Sequence, residues 1–460
     1  MTLAKHVFFL GLGGIGMSAL ARHLHGLGHV VGGYDLTPSP LLDRLKAEGI
    51  WVGHSDEPED LPPWTQHLAL TLVWTPAVPV DFKLKRHFES MGIQALKRAE
   101  LLGAITRGRP TLGVAGTHGK TTTSSWLADM LMAHPAGCHA FLGGIDAATG
   151  TNLLTRPGAA WHVVEADEFD RSFHQLHPTH AAVTNLDPDH LDVYGTEESF
   201  REAFHAFGDQ VTQTLIVPHD LPWPCQKSLE HFAVVDLGEN VPEGVDHLAT
   251  LCPEIREVAF ELHRNNPKNT CSFKATPALP GRHNAANALV AAALASHANV
   301  EADVLAQRVA HFGGVKRRME VHLDTPEATY IDDYAHHPSE LEALLSALRS
   351  RWPHRHVTMV FQPHLYSRTR DFGVEFAQVL GQVDRLFLLP IYPAREAPIP
   401  GVDAQWLFDN ISSPDKHLVA SDSIFTSLKA CPVDVLVTAG AGDIDRLVPQ
   451  ALQHMQDRRK

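Results

Sequence analysis

The chain has 460 residues, enough for about three domains of ordinary size, and its 44% hydrophobic content can supply several cores. A formal net charge of −15 argues against a nucleic-acid partner, which needs a basic face, but leaves room for a small anionic ligand that feels only the local field. No apolar stretch is long enough to span a bilayer, no cleavage site follows "MTLAKHVFFLGLGG", and the five cysteines are scattered without a C-x-x-C pair, so a cytoplasmic chain with no membrane insertion and no disulfide framework is expected.

Short apolar runs alternate with helical patterns from end to end, which predicts α/β layers with mostly parallel strands. Residues 1–107 form the first segment. The strand "HVFFL" runs into Gly11-Leu12-Gly13-Gly14-Ile15-Gly16, a G-x-G-x-x-G turn, and Asp35 follows the next apolar stretch at the spacing a ribose ligand requires. The glycines allow a tight turn and let a diphosphate approach a helix N-terminus. The plainer alternative is a strand–helix turn with no ligand. Alone, the motif suggests an NAD-dependent dehydrogenase, but it specifies only a diphosphate, which a UDP-sugar also carries.

Residues 108–314 form the second segment, entered after the basic, Gly/Pro-containing "ITRGRP". Its first strand leads into Gly116-Thr117-His118-Gly119-Lys120-Thr121-Thr122. The strict phosphate-loop pattern G-x-x-x-x-G-K-[ST] fails here, because its first glycine would fall on Val114. The context nevertheless fits: a strand precedes, and a helix follows in which Trp126, Leu127, Met130 and Leu131 are expected to form one apolar face. Backbone amides and the helix dipole can hold phosphates, Lys120 can reach the β/γ oxygens, and Thr121 can offer its hydroxyl to Mg²⁺. Two later strands end in polar residues of the right kind. "WHVVEADEFD" supplies Glu165, Asp167 and Glu168, and "AAVTNLDPDHLDVYG" brings Asn185, Asp187, Asp189, His190 and Asp192 into one turn. Between Leu215 and Pro280 turn residues interrupt the runs and the pattern is least readable. Gly313 and Gly314 mark another joint.

Residues 315–460 form the third segment, with "ATYIDDYAHHP", "VTMVF", "RLFLL" and "DVLVTAG" as its expected strands.

"GTHGKTT", "EADE", "TNLDPDHLD", "GRHNAANALVAAALA", "DDYAHHPSE" and "FQPHLYSRTRD" stand in the order found in the Mur ligases of peptidoglycan synthesis, which this sequence resembles over nearly its whole length. The family's loop has its glycine inside, at Gly116, so Val114 is no defect. The resemblance implies three α/β domains: a Rossmann-like N-terminal domain for a UDP-sugar, a central P-loop ATPase domain, and a Rossmann-like C-terminal domain for the amino acid. It implies an ATP- and Mg²⁺-dependent carbon–nitrogen ligase, acting as a monomer or homodimer, that joins L-alanine to the lactyl carboxylate of UDP-N-acetylmuramate through an acyl phosphate. The alternatives are a sibling that recycles a whole tripeptide onto the same sugar nucleotide, a nucleotide-gated binding protein, and the dehydrogenase. Later-acting ligases carry a modified lysine after the "EADE" strand, and no lysine stands between Glu168 and Lys227.

Carried over by motif, Lys120 holds the ATP phosphates, Thr121 and Glu165 one Mg²⁺, and His190 a second. Asn284 and Asn287 lie near the adenine side or a domain junction; from the residues alone they read as capping and interior amides. Arg317 reaches ATP. Asp332, Asp333, Tyr334, His336 and His337 form the wall facing the reacting carboxylate, with His336 or His337 as acceptor of the alanine proton. His364 and Arg368 lie near alanine. Leu365 stands where many relatives have arginine, which moves the alanine carboxylate to Arg368. Gly11, Gly13, Gly14, Gly16 and Asp35 would then serve the UDP-sugar.

Overall fold

The structure is a computed structural model that describes residues 3–457 except 67–68, 190, 225–227, 253–256, 265, 395 and 430. Among the described residues the strands form three sheets, of five, ten and six strands. No helix among them is long and apolar enough to cross a membrane.

The first sheet contains β1 (His6–Leu10), β2 (Val30–Tyr34), β3 (Trp51–Gly53), β4 (Leu70–Trp74) and β5 (Ala95–Lys97), connected with α1 (Ile15–Gly26), α2 (Pro40–Ala47), α3 (Lys83–Ser90) and α4 (Arg98–Thr106). All pairings are parallel, in the order β3-β2-β1-β4-β5. β1 is central, so Val7 to Leu10 are buried on both faces and read as one continuous apolar run. Strand order reverses beside β1, and the glycine turn leaves its carboxyl end at that point, where open parallel sheets bind ligands.

The second sheet contains β6 (Thr111–Ala115), β7 (Cys138–Phe141), β8 (Leu153–Thr155), β9 (Trp161–Glu165), β10 (His180–Val183), β11 (Thr214–Pro218), β12 (Leu229–Asp236), β13 (His247–Cys252), β14 (Glu257–Arg264) and β15 (Asn266–Ala275). Its helices are α5 (Lys120–Ala133), α6 (Leu191–Tyr194), α7 (Glu197–Asp209), α8 (Arg282–His297) and α9 (Ala302–His311). The order is β15-β14-β13-β12-β11-β10-β6-β9-β7-β8, with β6 between β9 and β10 in parallel register. The poorly readable stretch is β11 to β15. Burial alternates along much of β12, and β13 to β15 pair antiparallel, so their apolar runs are interrupted where β6 is buried throughout. One expectation is corrected here. α5 does not present a single apolar face: from Thr121 to Leu131 every residue except Asp129 is buried, because the helix is enclosed and its threonines and serines face protein too.

These two sheets belong to one compact unit, residues up to Ala278 together with Ala286–Gly313. A shared apolar cluster explains the union, running from Met17 and Leu20 of α1 to Phe141, Leu153 and Phe173. Asn152 Nδ2 donates to Ile15 O at 2.5 Å and to Ser18 Oγ at 2.8 Å, and Arg22 bonds Thr151.

The second unit comprises Leu279–Ala285 and Gly314–Lys460. Its strands are β16 (Glu320–Asp324), β17 (Thr329–Asp333), β18 (Val357–Phe361), β19 (Arg385–Leu388), β20 (Lys416–Leu418) and β21 (Val435–Ala439). Its principal helices are α10 (Pro338–Arg351), α11 (Tyr366–Asp371), α12 (Gly373–Leu380), α13 (Ala404–Asn410), α14 (Ile424–Lys429) and α15 (Val448–Asp457). The order is β16-β17-β21-β18-β19-β20, with only the edge strand β16 antiparallel. Two apolar clusters cover this sheet, one containing Ile331, Leu341 and Phe376, the other Tyr330, Phe387 and Met455.

Candidate active site

At the first glycine turn, Gly11 takes φ +87°, a left-handed conformation that favours glycine. Gly13 N donates to Asp35 Oδ2 at 2.7 Å, and a Cβ on Gly13 would stand 2.9 Å from that oxygen. The other Asp35 oxygen accepts from Thr37 N at 3.1 Å, so Asp35 ties the turn to the end of β2. Gly14 caps α1, and a Cβ on Gly16 would lie 2.7 Å from Arg98 Nη1. Arg98 continues to Asp167 Oδ2 at 2.9 Å. Sequence reasoning did not single out Arg98; nothing local in "KRAEL" marks an arginine that reaches both a glycine turn and another strand end.

The second loop leaves β6. Gly116 and Gly119 have φ +126° and +80°, and each is closely faced: a Cβ on Gly116 would collide with Thr184, and one on Gly119 would come 2.5 Å from Asn287 Oδ1. No residue with a side chain fits either place without moving a neighbour. Neighbouring strand ends fix the loop. Thr117 Oγ1 donates to Asp187 O at 2.6 Å, His118 N donates to Asn185 Oδ1 at 2.9 Å, and Asn185 Nδ2 and Thr184 Oγ1 both donate to His118 O. Thr184, absent from the motif reading, is thus as involved as Asn185. His190 lies outside the described residues. Asn287 Oδ1 accepts from Thr123 Oγ1 at 3.1 Å, an interior amide beside the loop. Thr122 is buried in the first turn of α5.

Lys120 Nζ donates to Gly116 O at 2.6 Å and Thr117 O at 3.0 Å, and pairs with Glu168, whose two oxygens each lie 2.9 Å away. Burial opposes the ammonium charge, but Glu168, Glu165 and Asp167 outweigh it and hold Lys120 above the ordinary lysine value. Burial lifts the Glu168 carboxyl to about 7 against the pull of Lys120. Beside this pair, Thr121 Oγ1 donates to Glu165 Oε1 at 3.1 Å, and Glu165 Oε2 accepts from Gly143 N at 3.1 Å. A hydroxyl and a carboxylate side by side are the hard oxygen donors that Mg²⁺ prefers. The loop amides and Lys120 are donors suited to phosphate. The donor set therefore fits a Mg²⁺–nucleotide.

In the second unit, Arg317 adopts φ +61° and Tyr334 N donates to its carbonyl at 2.6 Å. Its guanidinium bonds Asp332 Oδ2 at 3.0 Å and Gly440 O at 2.6 Å, and lies 5.2 Å from the Tyr334 ring. Asp333 accepts from Met319 N and Ala335 N, each at 2.7 Å. Burial pushes its carboxyl up to about 6, with Arg318 and the two amides pulling the other way. His336 sits edge-on to Tyr334 and His364, and burial lowers it to about 4. His337 caps α10, with Nδ1 2.8 Å from Ser339 Oγ. His364 stacks on Tyr392 and is likewise lowered to about 4, first by burial and then by Arg368, whose Nη1 is 3.5 Å from its Nδ1. Leu365 takes φ +72° at the entry to α11, and Arg368 is buried one turn on. Asn284 Nδ2 donates to Pro280 O at 2.8 Å. The unit thus brings Tyr334, His336, His364 and Arg368 together.

Three family models match the chain: the Mur ligase family, catalytic domain at residues 6–110, the Mur ligase middle domain at 114–295, and the Mur ligase, glutamate ligase domain at 317–444. Among curated relatives, the UDP-N-acetylmuramate–L-alanine ligase of Cytophaga hutchinsonii is 42% identical over 457 residues, covering 97% of this chain and 96% of its own. That of Porphyromonas gingivalis is 42% identical over 454 residues, covering 98% and 99%. Among solved structures, UDP-N-acetylmuramate–alanine ligase MurC of Thermotoga maritima matches with a TM-score of 0.80 at 22% identity, covering 98% of this chain and 99% of that one. MurF ligase of the same organism, in complex with ADP, matches at 0.59 and 16% identity, covering 93% and 95%.

Proposed function

Because the chain belongs to the Mur ligase family, we propose that its two glycine turns serve the two nucleotides of a single ligation, UDP on the first and ATP on the second. The protein joins L-alanine to the lactyl carboxylate of UDP-N-acetylmuramate, with cleavage of ATP to ADP and phosphate, in peptidoglycan precursor synthesis. The observation that carries the chemical reading is the paired placement of Lys120 with Glu168 and Thr121 with Glu165, at the carboxyl ends of neighbouring strands.

Joining a carboxylate to an amine in water is uphill, so the carboxylate must first be activated. The γ-phosphoryl group passes from ATP to a lactyl oxygen, giving an acyl phosphate and ADP. The alanine amine then attacks the acyl carbon, and phosphate leaves from a tetrahedral intermediate. Two anions must meet in the first step, and Lys120 supplies positive charge against that repulsion while the loop amides orient the phosphates. Mg²⁺, held by Thr121 and Glu165 with a second ion at His190, would neutralise further phosphate charge. The first-turn glycines Gly11, Gly13, Gly14 and Gly16, with Asp35, are assigned to UDP-N-acetylmuramate.

The second unit is assigned the amino acid. Arg368 suits the alanine carboxylate because a planar guanidinium offers two parallel donors. The alanine ammonium must lose a proton before attack. His336 or His337, both on the wall of this unit, is assigned the proton.

Phosphate release from ATP tests the reading. It should require UDP-N-acetylmuramate and L-alanine together, with L-Ala–D-Glu–diaminopimelate a far weaker substitute for alanine. Preference for the tripeptide would return the recycling activity, and turnover of NAD would return the dehydrogenase.

A further inference from the structure

The nucleotide loop stands at the carboxyl ends of β6, β9 and β10, and the amino ends of β12 and β13 in the same sheet hold a second convergence of side chains. Glu230 is the second residue of β12, His247 opens β13, and His297 closes α8. His247 Nε2 lies 2.7 Å and His297 Nε2 3.0 Å from the same oxygen, Glu230 Oε2. Glu230 is 3% exposed and His247 fully buried, while Glu230 Oε1 has no hydrogen-bond partner among the described residues. His180, opening β10, stacks on His297 with ring centres 4.5 Å apart and walls the group on that side. α8 has Asn287 beside the loop and reaches His297 ten residues later, a separation of about 15 Å along the helix. The cluster is therefore distinct from the nucleotide site.

Glu230, His247 and His297 converge on one point, and the first two are buried. One ligand atom from each residue lies within 4.8 Å of the other two. Two imidazole nitrogens and one carboxylate oxygen form a donor set for zinc-class transition metals, whereas Mg²⁺ and Ca²⁺ take oxygen. Tetrahedral ligands with bonds of roughly 2.0–2.1 Å sit about 3.3 Å apart. The observed 2.7 and 3.0 Å separations therefore need to open by about half an ångström to admit the ion. Glu230 Oε1 or water can complete the shell.

We propose that Glu230, His247 and His297 form a site for one zinc-class cation that fastens β12 and β13 to the end of α8. The site has no part in the ligation; it clamps the amino ends of β12 and β13.

The test uses the full chain, stripped with chelator and dialysed against CoCl₂ or ZnCl₂ with excess Mg²⁺ present to occupy the oxygen site. One equivalent of Co²⁺ should bind with the visible spectrum of a tetrahedral nitrogen–oxygen site and no thiolate charge-transfer band. Zn²⁺ should raise the unfolding midpoint of the parent by several degrees. Glu230→Gln and His297→Gln, checked for folding by circular dichroism, should each lose the Co²⁺ spectrum and the Zn²⁺-dependent shift. Less than a tenth of an equivalent bound by the parent would overturn the proposal and leave a hydrogen-bonded triad. So would a thiolate band, or a spectrum untouched by both substitutions.

Discussion

Lys120 is held by two loop carbonyls and both oxygens of Glu168, so its replacement tests the phosphate role and the tolerance of the fold together. Lys120→Ala should lower kcat by about 10²–10³, the usual cost of removing one donor aimed at developing charge. The fold should survive, because burial already lifts Glu168 to about 7 and the abandoned carboxyl can take up a proton. Near-parental turnover with an unchanged circular dichroism spectrum would remove Lys120 from the mechanism. Glu165→Gln keeps the size of the side chain but removes a hard anionic donor, so activity should fall and partly return at high Mg²⁺. An unchanged Mg²⁺ dependence would make Glu165 a bystander. Asp333 gives a signed pH prediction. Its carboxyl is raised from 3.8 to about 6, so across that window the folded chain binds more protons than the unfolded one. Its contribution to stability is then full at the acidic end and is lost as pH rises through about 6, by about 3 kcal/mol in all. Denaturant titrations on either side of the window should show that decline in the parent and not in Asp333→Asn. Equal slopes would rule Asp333 out as its source.

Among elements, α4 sets helix propensity against packing. Gly103 is interior to the helix, where alanine normally gains about 1 kcal/mol. A Cβ there would run into the carbonyl of Gln175, a backbone atom that cannot rotate aside. Gly103→Ala should therefore lower the unfolding temperature; a rise would mean the two segments part at little cost. The same scale explains which elements the sequence reveals. β6 and the turn into α5 are legible because a buried central strand writes an unbroken apolar run and the glycines answer local backbone demands. β12 to β15 are not, since alternating burial and antiparallel pairing break the run. The one-faced reading of α5 fails because its threonines and serines are as buried as its leucines. Arg98, Thr184 and the cluster of Glu230, His247 and His297 leave no local trace, their partners being distant in the chain.

At the scale of the whole molecule, the chain passes between two compact units at 278–279, 285–286 and 313–314, the last at the paired glycines. Each unit has its own apolar clusters, so unfolding of the whole should not be a single two-state event. Calorimetry should give a van't Hoff enthalpy below the calorimetric one. ADP with Mg²⁺ should move the component belonging to the loop-bearing unit upward, as any ligand of the folded state does. A single transition with matching enthalpies would mean that the units unfold as one.

The pinned ammonium of Lys120 also bears on chemical modification. Acylating and sulfonylating reagents attack the free amine, and this amine is kept protonated by Glu168 and has only 13% of its side chain exposed. Electrophiles designed to capture a nucleotide-loop lysine should find it among the slowest amines in the protein, reacting after exposed ones such as Lys83. Covalent inhibition of this loop is better sought through compounds that first displace Glu168 from the ammonium.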